Sequence, residues 1–442
     1  MIENVFPISV KEFKLGSDVE NLIKQQDLQI GLVETSVAKF STGGYVILDF
    51  EKEMNGGIRI FAYHATNVKT RIRFGESLTE CCSDLGGEKN ATNDHALRDF
   101  YVNLHDYSDM TFSNSGFRFV RLDFEGDITL KSVVAVNHIL NKKPIYTYTG
   151  KDKQIKQIFE VAKRTVDLCA GQEYLWDGVK RDRLVWIGDM YGRLPVIEKS
   201  LDFIKKQTPL PRWMNNIPMY SMWWIIILAD YYEMTGAKAF VKKQLDYLVK
   251  LVEQLHSSIS EDGTLNYPFY FVDWPTSNQP DEKHGVRAIN IFAMKKAIIL
   301  LKEFKCDTSK AEETLNRLLK KKMKIQKSKQ VAGLKYFAVG LDASDKKLLV
   351  KGGAKGMSTF MSYYILKAVA SYDKKVAIQM MKEYYGAMLD KGATSFWEDF
   401  DIEWAKGSCR IDEFPKAGEK DIHGDFGAFC YKGFRHCFKR RI

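Results

Sequence analysis

Two stretches of this 442-residue chain concentrate side chains that could move protons. The first is WDGVKRDRLVWIGDM, residues 176–190, where Asp177, Asp182 and Asp189 stand five and seven apart and Arg181 and Arg183 flank the middle acid. Gly178 and Gly188 bracket the segment, so it reads as a loop entering a helix, with Trp176 and Trp186 as aromatic walls. The second is GATSFWEDFDIEW, residues 392–404, where Glu398 sits between Trp397 and Asp399, just after a helix ending near Lys391-Gly392. One carboxyl group kept protonated and another kept ionised are what acid–base hydrolysis requires. Both stretches also have plainer readings. The first is equally a salt-bridged loop with Asp189 as a helix N-cap, and on local evidence that reading is the better one. The second is equally an acidic turn whose tryptophans pack on the helices. Carboxylates this far apart in sequence meet only through the fold.

The elements that must position them fall into two halves. Residues 1–145 read as β. Val68, Thr70, Ile72 and Phe74 alternate with Lys69, Arg71 and Arg73, the period of a half-buried strand. GYVILDF (44–50), Ile58-Arg59-Ile60 after a Gly56-Gly57 turn signal, FRFVRLDF (117–124) and DITLKSVVAV (127–136) add further strands and suggest a sandwich. From residue 150 to 442 the period is helical, with amphipathic segments at 153–170, 190–206, 217–235, 238–259, 286–304, 308–324, 357–371 and 374–390. VAGLKYFAVG (331–340) fits either helix or strand. Short breaks such as Thr235-Gly236 pair the helices as hairpins, so the half is an α/α bundle, toroid or solenoid, and no internal repeat favours the solenoid.

Composition excludes several classes. The hydrophobic fraction of 45% and charged fraction of 28% are those of a soluble globular protein with two cores. Its net charge of +10 gathers in a helix tail from Arg317 to Lys329 and in Lys439-Arg440-Arg441. No aromatics interleave with these charges, so solvated faces are expected and no nucleic-acid partner. Seven cysteines without a CxxC pair argue against a disulfide framework and a zinc site. The longest apolar run, Met222 to Ala229, is far below a membrane span, and MIENVFPISVKEF lacks the apolar core of a signal peptide. No membrane partner is expected, and the location is cytoplasmic as written, or periplasmic if a leader has been lost.

DGVKRDRLVWIGD (177–189) resembles the signature of inverting α-L-rhamnosidases, glycoside hydrolase family 78, whose pattern is roughly Asp-x-x-x-Arg-Glu-Arg-x-x-Trp-x-Gly-Asp. GATSFWEDFD (392–401) resembles that family's second carboxylate segment, and LDFEKEMNGGIRI (48–60) and GFRFVRLDF (116–124) resemble its preceding sandwich. The resemblance implies an N-terminal β-sandwich, residues 1–145, followed by an (α/α)6 six-hairpin barrel, residues 150–442, with the site among loops at one end. It assigns Asp182 as general acid and Glu398 as general base acting on water, the two carboxyl groups that glycoside hydrolysis requires. Asp177, Arg181, Trp186, Asp189 and Trp397 then bind the sugar, with Asp273 and Trp274 of YPFYFVDWPT (267–276) lining the pocket. The implied substrate is a rhamnose-containing glycoside or oligosaccharide, with no cofactor and no metal. Two departures stand out. Asp182 replaces the usual Glu, which retracts the carboxyl by a methylene. After DIHGDFGAFCYKGFRH (421–436) the chain finishes CFKRRI, so the resemblance implies a barrel lacking its closing helices and the usual C-terminal β-sandwich. These departures leave open a catalytically inactive rhamnoside-binding remnant, or a six-hairpin glycosidase for another sugar.

Overall fold

A computed structural model describes residues 2–85, 97–139, 147–171, 173–180, 183–189, 196–398, 400–420 and 422. The N-terminal part is one seven-stranded antiparallel sheet: β1 (Ile2–Val5), β2 (Ser9–Ser17), β3 (Ala38–His64), β4 (Val68–Gly75), β5 (Asp99–Leu104), β6 (Ser108–Phe124) and β7 (Ile128–His138). Their order is β1-β7-β3-β6-β4-β5, with β2 on the first half of β3. β4 alternates as its sequence predicts, with Val68, Thr70, Ile72 and Phe74 buried. Arg73 breaks the pattern and is buried too, because Asp123 on β6 lies 2.9 Å from its guanidinium.

Gly56-Gly57 is not a turn. The predicted strands 44–50 and 58–60 belong to a single 27-residue strand, β3, whose pairing with β6 shifts between Asp49 and Met54 and again between Gly56 and Ile58. Gly56 has φ +157, and a Cβ there would lie 1.8 Å from the Val136 carbonyl oxygen, so a neighbouring backbone occupies the space a side chain would need. β1, β2 and β5 went unread in the sequence. β1 and β5 close the two ends of the sheet, and β2 carries solvent-facing Glu12 and Lys14, the charges expected where pairing must stop.

Eleven helices follow among the described residues: α1 (Lys153–Cys169), α2 (Val196–Gln207), α3 (Pro218–Thr235), α4 (Lys238–Lys242), α5 (Leu245–Ser257), α6 (Glu282–Glu303), α7 (Ser309–Leu319), α8 (Lys329–Val339), α9 (Ala343–Val350), α10 (Ser362–Ala370) and α11 (Lys374–Asp390). α3 opens on Pro218 and stops at Gly236 in the left-handed region, a start and stop its sequence encodes. Every residue from Pro218 to Tyr231 is buried, as befits a helix surrounded by others. α3 packs on α6, α6 on α8, α8 on α10, α10 on α11, and α11 on α1. The ambiguous 331–340 segment is helical, started by the Ser328 hydroxyl accepting from the Val331 amide at 3.2 Å. The supposed basic helix tail is mostly not helix, since α7 ends at Leu319 and Lys320 donates to the Glu261 carbonyl at 2.7 Å.

The sheet and the helices meet along a polar seam. The Asn55 amide donates to the Leu168 carbonyl at 2.9 Å, the Glu53 backbone N–H to Thr394 Oγ1 at 2.9 Å, and the Leu78 N–H to the Ile411 carbonyl at 2.7 Å. Arg118 on β6 grips Asp49 through two bonds of 2.8 and 3.0 Å and reaches the Gly392 carbonyl at 3.4 Å.

Candidate active site

The first acidic segment is a closed turn. The Asp177 N–H donates to the Leu184 carbonyl at 3.0 Å, and one Asp177 carboxylate oxygen accepts from the Gly178 and Leu184 N–H groups at 2.8 and 3.1 Å. Asp177, 6% exposed, therefore braces the turn that closes between residues 177 and 184. Arg181 and Asp182 themselves lie outside the described residues. Arg183 follows with φ +50, and its guanidinium donates to the Val179 carbonyl at 2.9 Å and Asn55 Oδ1 at 3.1 Å while lying 4.8 Å over the Trp176 ring. Burial pushes its ionisation below the usual arginine value.

Beyond the turn, Trp186 is half-buried with its ring edge-on to Tyr220 at 5.2 Å. Tyr220 stacks at 6.4 Å on Phe271, which meets Trp274 edge-on at 5.2 Å, so an aromatic path runs from the first segment to the Asp273-Trp274 segment. Gly188 permits this approach, since a Cβ there would come within 3.1 to 3.3 Å of Tyr220, Trp223 and Phe360. Asp189 ends a short helical turn, Ile187–Asp189, and α2 is described from Val196 onward, so the expected N-cap falls outside the described residues.

Asp273 is buried at 3% exposure. One of its oxygens accepts from the Thr276 N–H at 3.1 Å and the other from the Ser358 hydroxyl at 2.6 Å. Burial raises its ionisation above the ordinary aspartate value, against the lowering effect of those two partners. Its position ties residues 273–276 to the segment before α10, leaving Trp274 65% exposed at the rim of a groove of about 550 Å³. Lys355, Met357, Asp401, Glu403 and Trp404 line the same groove. Asp401 accepts from the Gly356 and Glu403 N–H groups, each at 2.9 Å, which fastens the two walls together.

The second acidic segment enters this groove's wall. The Phe396 N–H donates to Thr165 Oγ1 at 2.9 Å, and the Phe400 carbonyl accepts from the Tyr384 hydroxyl at 2.8 Å. Between these anchors Trp397 is 1% exposed with its ring edge-on to Phe400 at 5.7 Å, so it packs beneath the segment. Glu398 is partly exposed, and Asp399 lies outside the described residues. Ring contacts thus link Trp186 to Trp274, and Trp274 shares its groove with Phe400, two residues beyond Glu398, while one Asp177 oxygen braces its own turn. Lys355, Ser358, Asp401, Glu403 and Trp404 went unmarked in the sequence. The FDIEW run after Glu398 was the available signal, since it returns acid and Trp within five residues. Exposed indole beside carboxylates suits a ligand with both apolar faces and hydroxyls.

The whole arrangement is similar to a rhamnosidase from Klebsiella oxytoca with rhamnose bound, at a TM-score of 0.74 and 18% identity over 98% of this chain and 94% of that one. The chain has the α-L-rhamnosidase fold. A GH78 family rhamnosidase of Bacillus sp. GL1 matches at a TM-score of 0.71 and 15% identity over 94% of this chain, and an α-L-rhamnosidase from Dictyoglumus thermophilum at 0.67 and 14% over 98%. The chain spans nearly the full Klebsiella rhamnosidase but only 47% and 51% of the other two. No family model and no curated protein matches the sequence. No described helix is long and apolar enough to cross a membrane.

Proposed function

We propose that the chain is an α-L-rhamnosidase that releases terminal α-L-rhamnose from glycosides or polysaccharides by single displacement with inversion. In this reading Asp182 protonates the glycosidic oxygen as the aglycone leaves, and Glu398 takes a proton from the water that attacks the anomeric carbon from the opposite face. Arg181, Asp189, Trp186 and Trp274 bind the sugar, and Asp177 holds the turn that presents Asp182. Trp397 supports Glu398 from below, and Asp273 holds Trp274 at the groove. The same reading takes the sheet as a sandwich and the helices as an (α/α)6 barrel. The observation that carries it is the fold shared over nearly the whole chain with a rhamnosidase whose structure contains rhamnose.

The test is rhamnose release from an aryl α-L-rhamnoside by the purified chain, beside Asp182→Asn and Glu398→Gln. Turnover in the parent, loss in both variants, and β-anomeric rhamnose as the first product seen by proton NMR are expected. Turnover that survives Glu398→Gln would remove that residue from the mechanism. The shorter Asp at position 182 favours a second reading, a rhamnoside-binding protein without turnover, which calorimetric binding of rhamnose by an inactive parent would support.

A further inference from the structure

We propose that Lys180 is a positioning residue for Asp182: Glu76 and Glu80 of the sheet domain hold its ammonium group and so set where the 177–184 turn presents its acid. The inference rests on the rhamnosidase reading for what Asp182 does, but its geometry stands apart from it. Lys180 belongs to the helical half, yet its side chain is 1% exposed between Glu76 at 3.3 Å and Glu80, themselves 2% and 0% exposed. Glu80 is fixed in turn, because its second oxygen accepts from the Glu76 N–H at 2.7 Å and its own N–H donates to Ser77 Oγ at 3.1 Å. Burial alone would depress the Lys180 ammonium, and the two carboxylates outweigh it and hold it charged. Strand β6 passes close enough that a Cβ on Gly116 would lie 2.8 Å from the Lys180 backbone nitrogen. On the other side of the acid, Arg183 reaches Asn55 of β3 at 3.1 Å. Residues on both sides of Asp182 are therefore anchored in the sheet domain.

Stability alone does not explain such a cluster, because well-packed apolar residues at a buried ion-pair site are usually no less stable. What charges supply is direction. Two residues of chain span at most about 7 Å, so a displaced Lys180 has little slack to absorb before Asp182 moves. A misplacement of about 1 Å in a reacting group can cost on the order of 10²-fold in rate.

The experiment compares Lys180→Met, Lys180→Arg and the pair Lys180→Met with Glu80→Gln on two rhamnosides. An alkyl rhamnoside needs its leaving oxygen protonated, and a 2,4-dinitrophenyl rhamnoside does not. A mispositioned acid lowers kcat by about 10²-fold on the alkyl substrate and leaves the dinitrophenyl substrate little changed, with KM nearly constant on both. Lys180→Arg recovers part of the loss. The paired variant, which strands no carboxylate at Glu80, recovers folding stability but not alkyl turnover. Equal losses on both substrates, or none, overturn the proposal. If the parent hydrolyses neither rhamnoside, the rhamnosidase reading fails, and hydrogen exchange decides the anchoring separately. Faster exchange of the Gly178 and Leu184 amides in Lys180→Met then supports it, and unchanged exchange overturns it.

Discussion

Replacing Arg118 with Met tests whether the seam carries energy between the two halves. Arg118 and Asp49 are 7% and 2% exposed by side chain and joined by two parallel hydrogen bonds, so the pair is shielded from water. Removing one partner of such a pair costs about 3–5 kcal/mol, because a carboxylate is left buried without its counterion. Lys11 stands 3.4 Å from Asp49 and remains after the substitution, which puts the expected loss near the lower end, about 3 kcal/mol, or roughly a hundredfold in the folding equilibrium. Removing both partners, with Asp49→Asn added, should cost less than the sum of the two single losses by at least about 1 kcal/mol. All eight tryptophans, from Trp176 to Trp404, belong to the helical half, so their fluorescence in a urea titration reports that half alone. Arg118 lies in the sheet. A shift of the tryptophan-detected midpoint by Arg118→Met therefore shows coupling across the seam. A midpoint that stays in place while circular dichroism records loss of the sheet would refute it, as would single losses that simply add.

Two further outcomes follow from perturbed ionisations. Asp273 is raised by burial, so the unfolded chain ionises it before the folded chain does. Its contribution is complete at acid pH and declines as pH rises above about 4, by up to about 1.4 kcal/mol per pH unit until the folded carboxyl also ionises. Asp273→Asn should flatten that decline in thermal unfolding midpoints measured from pH 4 to 8, and a parallel decline in both proteins would sink the argument. Cys82 is lowered to about 7 by hydrogen bonding from Cys81, against an opposing burial effect, with Arg121 lowering it further, while Cys81 is pushed well up by burial. Iodoacetamide should therefore modify Cys82 with a midpoint near pH 7 and spare Cys81. Arg121→Met should move the midpoint upward, which peptide mass spectrometry reads directly.

The legible parts of this fold were those whose partners lie nearby in sequence. β4 follows its period-two alternation, α3 its Pro218 start and Gly236 stop, and α11 its predicted range, with Asp373 accepting from the Lys375 and Val376 N–H groups. Errors came where tertiary partners overrode local pattern. The periodicity predicts a helix from 357, yet α10 begins at Ser362, because Gly356 and Ser358 are drawn out to Asp401 and Asp273. Gly56-Gly57 carries a turn composition, but a close neighbouring strand uses the missing Cβ instead. Nothing in the sequence singles out Lys180, because the carboxylate partner that accompanies its burial, Glu80, stands 100 residues upstream. The tryptophans and carboxylates of the two acidic segments were visible by type and spacing, whereas the groove that Asp401 and Trp404 form with Lys355 and Trp274 depends on how distant loops meet.

Both acidic segments share one support. The stretch of β3 from Asp49 to Asn55 is where its pairing with β6 slips, so part of its backbone is released from the ladder. Its side chains and the freed Glu53 backbone reach across the seam. Asp49 holds Arg118, which reaches Gly392, and the Glu53 N–H reaches Thr394, six and four residues before Glu398. The Glu53 carbonyl accepts from Arg164 of α1, and Asn55 reaches Leu168 at the end of α1 and Arg183 beside Asp182. An uninterrupted strand would have spent the Glu53 N–H and carbonyl on its neighbours. The irregularity makes one seven-residue stretch of sheet a common mount for two segments that lie more than two hundred residues apart, the segments that carry the two carboxyl groups of the proposed mechanism.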